Sequence, residues 1–377
     1  MIGCLPLLAG TKLGYGESTM RPFRFAFLLS ALLLALAGCA ARPDSRALDP
    51  VAGVPGAHLV SVLVATNRAA KDAGDARVSA LRYELLTVSI PPNHKPGEVE
   101  WSADAPGPAF SFATVRRQEL SEAEFLRRAT PDTHDIGVFV HGYNSSLPEA
   151  VFRLAQISHD ARGDREAVLF SWPSEGALTG YLADQDAATF SRDGLSGLLR
   201  ALTRGNPAGK IDLVGHSMGG WLVMESLRQL RLEKHDDVFR HLRVMLAAPD
   251  IDVDVFASQL DTVGKLSPPL TVLVSENDRA LAASRRLSGE HDRIGSVDVR
   301  DPRVVALADE KGIAVVDISA VGAADRLGHN GFVNLAIAEG VRSEGVGLRR
   351  AGAFVFNTAG QALGSPFILV GRALEGE

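Results

Sequence analysis

The chain has 377 residues, enough for one large domain or two of ordinary size. Hydrophobic residues make up 46% and charged residues 22%, the proportions of a globular protein with a sizeable core. The formal net charge of −6 and the pI of about 6.0 provide no basic excess for a phosphate backbone, so we exclude nucleic-acid binding.

The N-terminal residues have the pattern of an export signal. A short positive region at 20–24 precedes an apolar run from Phe25 to Leu36, which is short for a membrane span and suits the core of a signal peptide. The run ends in Leu36-Ala37-Gly38-Cys39, which resembles the lipobox of bacterial lipoproteins, where the chain is cut before the cysteine and its thiol is lipidated. The alternative is an ordinary cleaved signal in which Cys39 is incidental.

Three expectations follow from this signal. Residues 1–19 are an upstream extension caused by a misplaced start codon, with Met20 as the true start. Ala40, rather than Asp, follows Cys39, and by the lipoprotein resemblance this predicts a protein anchored in the outer membrane of a bacterial cell envelope and facing the periplasm. Cys4 is the only other cysteine, so the mature chain is expected to have no thiol for a disulfide or a metal site.

Residues 40–57 are rich in Ala, Pro and Gly and are predicted to form a flexible tether. Short, nearly continuous apolar runs follow, of the kind typical of strands that are buried on both faces. Eight such strands are predicted, at 60–64, 86–90, 136–140, 167–170, 211–214, 242–246, 270–274 and 313–316.

Helix-length amphipathic stretches separate the later strands. Pro148 to Asp160 and Asp186 to Leu202 are two of them, and Ser121 with Glu124 forms the sequence of a capping box for a helix near Phe125. This alternation predicts an α/β fold with a mostly parallel eight-stranded sheet and helices on both faces.

The boundaries of the predicted domain follow from the same pattern. The first two strands have no helix between them, so they are expected to form an antiparallel N-terminal edge. The domain covers 58–345, and 346–377 is a C-terminal extension of unknown role, in which 367–370 packs as an extra strand or docks on the domain.

The pentapeptide Gly215-His216-Ser217-Met218-Gly219 lies between the predicted strand at 211–214 and a helix-forming run that begins at Trp221. A strand, a sharp turn and a helix are the context of a nucleophile elbow, in which Ser217 exposes its hydroxyl above the sheet. The alternative is a plain glycine-rich turn.

A nucleophilic serine needs a base and an acid, and in open parallel sheets these groups gather at the carboxyl ends of the strands. Asp278, four residues after the strand at 270–274, is the predicted acid, with Asp250 as the alternative and Glu276 less favoured. His329, in a loop after the last predicted strand, is the predicted base, with His291 as the alternative.

The oxyanion of a tetrahedral intermediate needs backbone donors. The Met218 N–H, directly after the serine, is one candidate, and the Tyr143 N–H in His141-Gly142-Tyr143-Asn144 is the second. We expect His141 to order this loop rather than to transfer protons. The sequence has no P-loop, no dinucleotide fingerprint and no clustered metal-ligand spacing, so no cofactor and no metal are predicted.

With these residues assembled, the chain resembles the α/β-hydrolase superfamily and, more narrowly, bacterial hydrolases of the DUF900 type. The resemblance covers roughly residues 60–335. The matching stretches are Ala65–Arg68, Val88–Pro92, Val138–Asn144, Ser171–Ser174, Gly215–Gly220, Ala247–Asp252, Asn277–Leu281 and Gly328-His329.

The resemblance implies an α/β-hydrolase fold and serine-hydrolase chemistry, with a triad that maps to Ser217, Asp278 and His329. The expected function is cleavage of a small-molecule or lipid ester through an acyl-enzyme. Two alternatives stay open: an amidase or thioesterase with the same triad, and a non-catalytic envelope lipoprotein that uses the fold as a binding scaffold.

Overall fold

The structure is a computed structural model that describes residues 42–69, 77–101, 107–130, 135–161, 167–322, 325, 327–342 and 367–369. The predicted signal region, with Cys4, Met20 and Cys39, lies outside the described residues. Within them, no helix is both long and apolar enough to cross a bilayer.

A single mixed sheet organises the domain. Its strands are β1 (His58–Arg68), β2 (Arg77–Ile90), β3 (Ala113–Leu120), β4 (Ile136–Val140), β5 (Ala167–Ser171), β6 (Ile211–His216), β7 (Leu242–Ala247), β8 (Thr271–Val274), β9 (Ala314–Asp317) and β10 (Phe367–Leu369). They lie in the order β10-β9-β8-β7-β6-β4-β5-β1-β2-β3. The pairs β1–β2 and β2–β3 are antiparallel and the others are parallel, so the predicted α/β fold with an antiparallel N-terminal edge is confirmed.

The sheet has ten strands in the described residues, whereas the sequence predicted eight. The edge strand β3 was missed because its sequence, ATVRRQEL, places charged side chains at the surface instead of forming an apolar run. The other addition, β10, lies in the C-terminal extension and pairs with β9, from Phe367 opposite Val315 to Leu369 opposite Asp317. Of the two roles expected for this segment, the extra strand is the one observed.

The helices are α1 (Glu122–Ala129), α2 (Leu147–Asp160), α3 (Tyr181–Phe190), α4 (Arg192–Gly205), α5 (Met218–Leu232), α6 (Asp236–Phe239), α7 (Val253–Val263), α8 (Arg279–Leu287), α9 (Pro302–Lys311) and α10 (Gly331–Arg342). The capping box predicted at Ser121 and Glu124 is present at the start of α1. The single helix predicted at 186–202 is two helices that meet at Ser191. The Ser191 hydroxyl donates to the Ala187 carbonyl at 2.7 Å, a side-chain bond that bends helices.

Both faces of the sheet are covered by helices, as predicted. Successive residues of β1 point to opposite faces, so Leu63 and Ala65 pack in one core and Val62 and Val64 in the other. The first core includes buried side chains of α4, α5 and α7, and the second includes those of α2 and α10. This two-sided burial explains why the parallel strands are nearly continuous apolar runs.

The described part of the predicted tether packs on the domain. The Arg42 guanidinium donates to Glu149 Oε1 at 2.6 Å and to the Gly176 carbonyl at 2.8 Å. Ser45–Leu48 forms a short 3₁₀ helix in which Leu48 is buried. Residues 42–48 are therefore attached to the body rather than free, although the stretch has the composition of a linker.

Candidate active site

Ser217 lies at a sharp turn between β6 and α5, with φ 53° and ψ −122°. A positive φ is strained for a residue with a side chain and persists where its surroundings hold it. The Ser217 N–H donates to the Ala247 carbonyl at 2.9 Å, and the Ser217 carbonyl accepts from the Gly220 N–H at 2.9 Å and the Asp250 N–H at 3.2 Å. The end of β7 and the loop after it therefore fix the strained turn.

Close backbone contacts explain the glycines around this turn. A Cβ on Gly219 would clash with the carbonyl oxygens of Val140 and His141 at the end of β4. A Cβ on Gly142, in the loop after β4, would lie 2.9 Å from Ser217 Cβ, closer than such atoms approach. Only glycine at these two positions lets the β4 loop reach the serine.

Asp278 and His329 meet across two loops. His329 Nδ1 lies 2.6 Å from Asp278 Oδ2, and the Asp278 carboxylate is fully buried. Because an ionised carboxylate only accepts hydrogen bonds, the neutral imidazole carries its proton on Nδ1 and leaves Nε2 free as a base. The other Asp278 oxygen, Oδ1, accepts from the Leu281 N–H at 2.9 Å as the N-cap of α8. This bond fixes the direction of the carboxylate.

The loop that carries His329 is held by Asp325 and His216. Asp325 Oδ2 accepts from the His329 N–H at 3.0 Å, and Asp325 Oδ1 accepts from the Asn330 N–H at 2.8 Å. The His216 ring centroid lies 4.6 Å from that of His329, and His216 Nε2 is 3.3 Å from the His329 carbonyl oxygen. His329, which contacts Asp278, therefore lies against the residue that directly precedes Ser217, at the carboxyl edge of the sheet.

Burial, together with the nearby His329, lowers the pKa of His216 well below its usual value. The ring is therefore neutral near pH 7, and its Nε2–H donates to the His329 carbonyl. His216 is a functional candidate to which the sequence pattern assigned no separate role. Its position directly before Ser217 was the one sequence signal for a role in the site. Its partner, His329, is 113 residues away in the chain.

The alternative acids are engaged elsewhere. Asp250 accepts from the Tyr181 hydroxyl at 3.0 Å and from the Ser284 hydroxyl at 2.6 Å, and it forms an ion pair with Arg293 at 3.3 Å. Glu276 forms an ion pair with Arg300 at 3.2 Å. Asp278 is thus the predicted acid that contacts His329.

The alternative base, His291, lies at the surface. Its Nδ1 is 3.4 Å from an Asp252 carboxylate oxygen, and its side chain is 66% exposed. This pairing is an ordinary surface contact, whereas the His329 ring is largely buried beside His216.

Two backbone segments border Ser217 where oxyanion donors were predicted. Met218 is the first residue of α5, and the N–H groups of a first helical turn have no carbonyl partner within their helix. Tyr143 follows Gly142, where an added Cβ would lie 2.9 Å from Ser217 Cβ. The Tyr143 hydroxyl donates to the Leu178 carbonyl at 2.5 Å.

His141 orders the loop after β4. Its ring stacks on Trp172 with centroids 4.9 Å apart, and Nδ1 is 2.9 Å from the Gly142 carbonyl oxygen. Burial, with a further contribution from the positive charge of Arg68, lowers the pKa of His141 to about 3, so the ring is neutral. A neutral, stacked histidine agrees with the ordering role expected for it.

Asp184, which no sequence motif indicated, supports the same loop. Its carboxylate is buried on α3 and accepts from the Asn144 N–H at 3.0 Å, the Ser174 hydroxyl at 2.6 Å and the Glu175 N–H at 2.7 Å. Three donors from two loops converge on one carboxylate, which joins the β4 loop to the β5 loop. The only sequence signal for this role of Asp184 was an acidic residue on the apolar face of a helix.

The matches of the chain to known proteins are either short or of low sequence identity. An uncharacterized protein, alr1448, from Nostoc sp. is 38% identical over 61 residues, which cover 16% of each chain. The chain therefore spans about one sixth of that relative's length.

Solved esterases give long but weak structural matches. Esterase Est22 matches with 13% identity and a TM-score of 0.36, over 91% of this chain and 89% of the other. An esterase from Pyrobaculum calidifontis matches with 12% identity and a TM-score of 0.34, over 93% and 96%.

The family model described as "Alpha/beta hydrolase of unknown function (DUF900)" matches residues 118–340, which is more than half of the chain. The matched region begins in β3 and extends through the elbow, Asp278 and His329 into α10. The strand order, the elbow after β6 and this match agree with the resemblance found in the sequence. The chain belongs to the DUF900 family of α/β hydrolases.

Proposed function

We propose that the protein is a serine hydrolase that cleaves a carboxylic ester through an acyl-enzyme. The observation that carries this proposal is the 2.6 Å contact between His329 Nδ1 and Asp278 Oδ2, made beside the strained turn at Ser217. A buried carboxylate that fixes an imidazole next to an elbow serine is the arrangement of a catalytic triad.

In the proposed acylation step, Ser217 Oγ attacks the ester carbonyl carbon while His329 Nε2 takes the hydroxyl proton. Asp278 keeps the Nδ1 proton in place and stabilises the imidazolium that forms. The N–H groups of Met218 and Tyr143 hold the negative oxygen of the tetrahedral intermediate. When the intermediate collapses, His329 returns the proton to the departing alcohol.

Deacylation repeats these steps with water. His329 Nε2 removes a proton from a water molecule, which attacks the acyl carbonyl, and the same N–H groups stabilise the second oxyanion. The carboxylic acid leaves and Ser217 recovers its proton. An amide or a thioester would follow the same route, so the leaving group has to be identified by assay.

A fluorophosphonate probe, which reacts with activated serines, tests the proposal. Wild type should be labelled, and Ser217→Ala and His329→Ala should not. His291→Ala is the matched control, since it removes an exposed histidine, and should be labelled like wild type. Labelling that survives Ser217→Ala, or a wild type that neither labels nor cleaves short p-nitrophenyl esters, contradicts the proposal.

We also propose that the enzyme is lipid-anchored in the bacterial envelope through Cys39 and faces the periplasm. The lipobox-like sequence at 36–39 supports this. Expressed in a bacterium, wild type should sediment with membranes, and Cys39→Ser should move to the soluble fraction. An unchanged distribution contradicts the anchor and leaves the hydrolase proposal intact.

A further inference from the structure

A second cluster of ionisable side chains lies at the edge of the sheet opposite Ser217. His58 is the first residue of β1, which runs parallel to β5, so it lies at the amino edge of the parallel strands. His159 and Asp160 end α2, and His94 is in the loop after β2. The His159 ring lies 4.8 Å from the His58 ring and 5.5 Å from the His94 ring.

Three metal-ligand atoms converge in this cluster. His94, His159 and Asp160 each contribute one, and these atoms lie within 4.8 Å of one another. His94 Nε2 and Asp160 Oδ1 are 3.0 Å apart. Ligands about 2.0–2.2 Å from a tetrahedral zinc ion are roughly 3.4 Å from one another, so small side-chain rotations would complete the geometry.

The groups around these atoms orient them toward a common point. Glu100 Oε2 lies 2.7 Å from His94 Nδ1, which directs His94 Nε2 toward Asp160. Asp160 Oδ2 accepts from the Gly97 N–H at 2.7 Å and from the Gln156 amide at 2.5 Å, which leaves Oδ1 for the cluster. A carboxylate behind a histidine is the outer partner that metal-binding histidines use.

We propose that His94, His159 and Asp160 form a zinc site, with a water molecule in the fourth position. Two imidazole nitrogens and one carboxylate oxygen favour zinc over magnesium or calcium, which prefer oxygen ligands. The ion replaces the proton between His94 Nε2 and Asp160 Oδ1. His94 and Asp160 are 66 residues apart, which is why no ligand spacing is visible in the sequence.

The position of the site indicates that a zinc ion there would hold two elements of the fold together. Zinc there fastens the loop after β2 to the end of α2. Arg153, in the middle of α2, already donates to the Gly97 carbonyl of the same loop at 3.1 Å. The site lies at the edge opposite Ser217 and His329, so binding is expected to raise thermal stability and leave the reactivity of the serine unchanged.

Metal binding by the purified full chain tests the proposal. The chain, free of any histidine tag and treated with a chelator, is titrated with Zn²⁺ in a calorimeter and with Co²⁺ by visible absorption. Wild type should bind one equivalent of each ion and unfold at a higher temperature with zinc. No stoichiometric binding overturns the proposal and does not bear on the fluorophosphonate result.

Variants separate a zinc site from an ordinary ion pair. His159→Gln removes a ligand but keeps the contact between His94 and Asp160, so it should fold and lose Co²⁺ absorption. Glu100→Gln should weaken zinc binding by about 10–100-fold, the usual effect of removing an outer partner. His291→Gln, at an exposed histidine, is the control and should bind like wild type. Undiminished binding by His159→Gln overturns the assignment.

Discussion

At the scale of single residues, Asp278 uses its two carboxylate oxygens for two tasks. Oδ1 caps α8 through the Leu281 N–H, and Oδ2 holds the His329 imidazole. Asp250 is also buried but bonds to Tyr181, Ser284 and Arg293 instead. Two buried aspartates at the same edge of the sheet thus have separable roles.

We expect Asp278→Asn to lower kcat by about 10⁴-fold, because an amide cannot stabilise the imidazolium or keep the required tautomer. Asparagine is as good an N-cap as aspartate, so the free energy of unfolding should change by less than about 1 kcal/mol. Ester hydrolysis and urea unfolding measure the two effects.

The matched variant is Asp250→Asn, for which we expect the reverse: lower stability and little loss of kcat. It disturbs a buried network, so it should cost about 1–3 kcal/mol of stability, while the folded enzyme keeps most of its kcat. Equal kcat losses in the two variants would contradict the assignment of Asp278 as the acid.

At the scale of elements, the site depends on how closely the β4 loop approaches the turn between β6 and α5. Gly142→Ala places a methyl group 2.9 Å from Ser217 Cβ and should push the Tyr143 N–H away from the oxyanion. We expect kcat to fall by about 10²-fold or more, the loss typical when one oxyanion donor is removed.

The control for this variant is Gly137→Ala on β4, where an added Cβ meets no atom within 4 Å. It should have nearly normal kcat and fluorophosphonate labelling. If Gly142→Ala has the same kcat as this control, the β4 loop does not provide the proposed donor.

The elements also differ in how well the sequence predicts them. The β6 strand and its turn to α5 were recognisable because an apolar run and a Gly-Ser-Gly pattern are local signals. The charged edge strand β3 and the break at Ser191 were missed, because tertiary partners determine both. Ser191 Oγ accepts from the Asn67 side chain on β1 at 2.9 Å, a contact that no window around 186–202 contains.

At the scale of the whole molecule, His141 and His216 link stability to pH. His141 is buried and His216 half-buried, and both are neutral, with folded pKa values below the usual 6.5, about 3 for His141. The unfolded chain binds their protons as the pH falls through 6.5 and the folded protein does not. Their contribution to stability is therefore complete above about pH 6.5 and is lost as the pH falls from there toward the folded pKa values.

We expect each of these histidines to reduce the free energy of unfolding by up to about 1.4 kcal/mol per pH unit below 6.5. Urea unfolding at pH 7.5, 6.5, 5.5 and 4.5 measures the slope. His141→Gln should have a shallower slope than wild type below pH 6. A slope that His141→Gln does not change would contradict a neutral His141.

The amino-acid sequence by itself determined the fold class and predicted Ser217, Asp278 and His329 as a triad, with Asp250 as the alternative acid. It did so because buried parallel strands, the elbow and the polar residues after strands are all local patterns. Only the tertiary structure decided that Asp278, rather than Asp250, contacts His329, that His216 and Asp325 hold the histidine loop, and that His94, His159 and Asp160 converge. Those contacts join residues far apart in the chain, and their geometry depends on packing across the sheet rather than on any local signal.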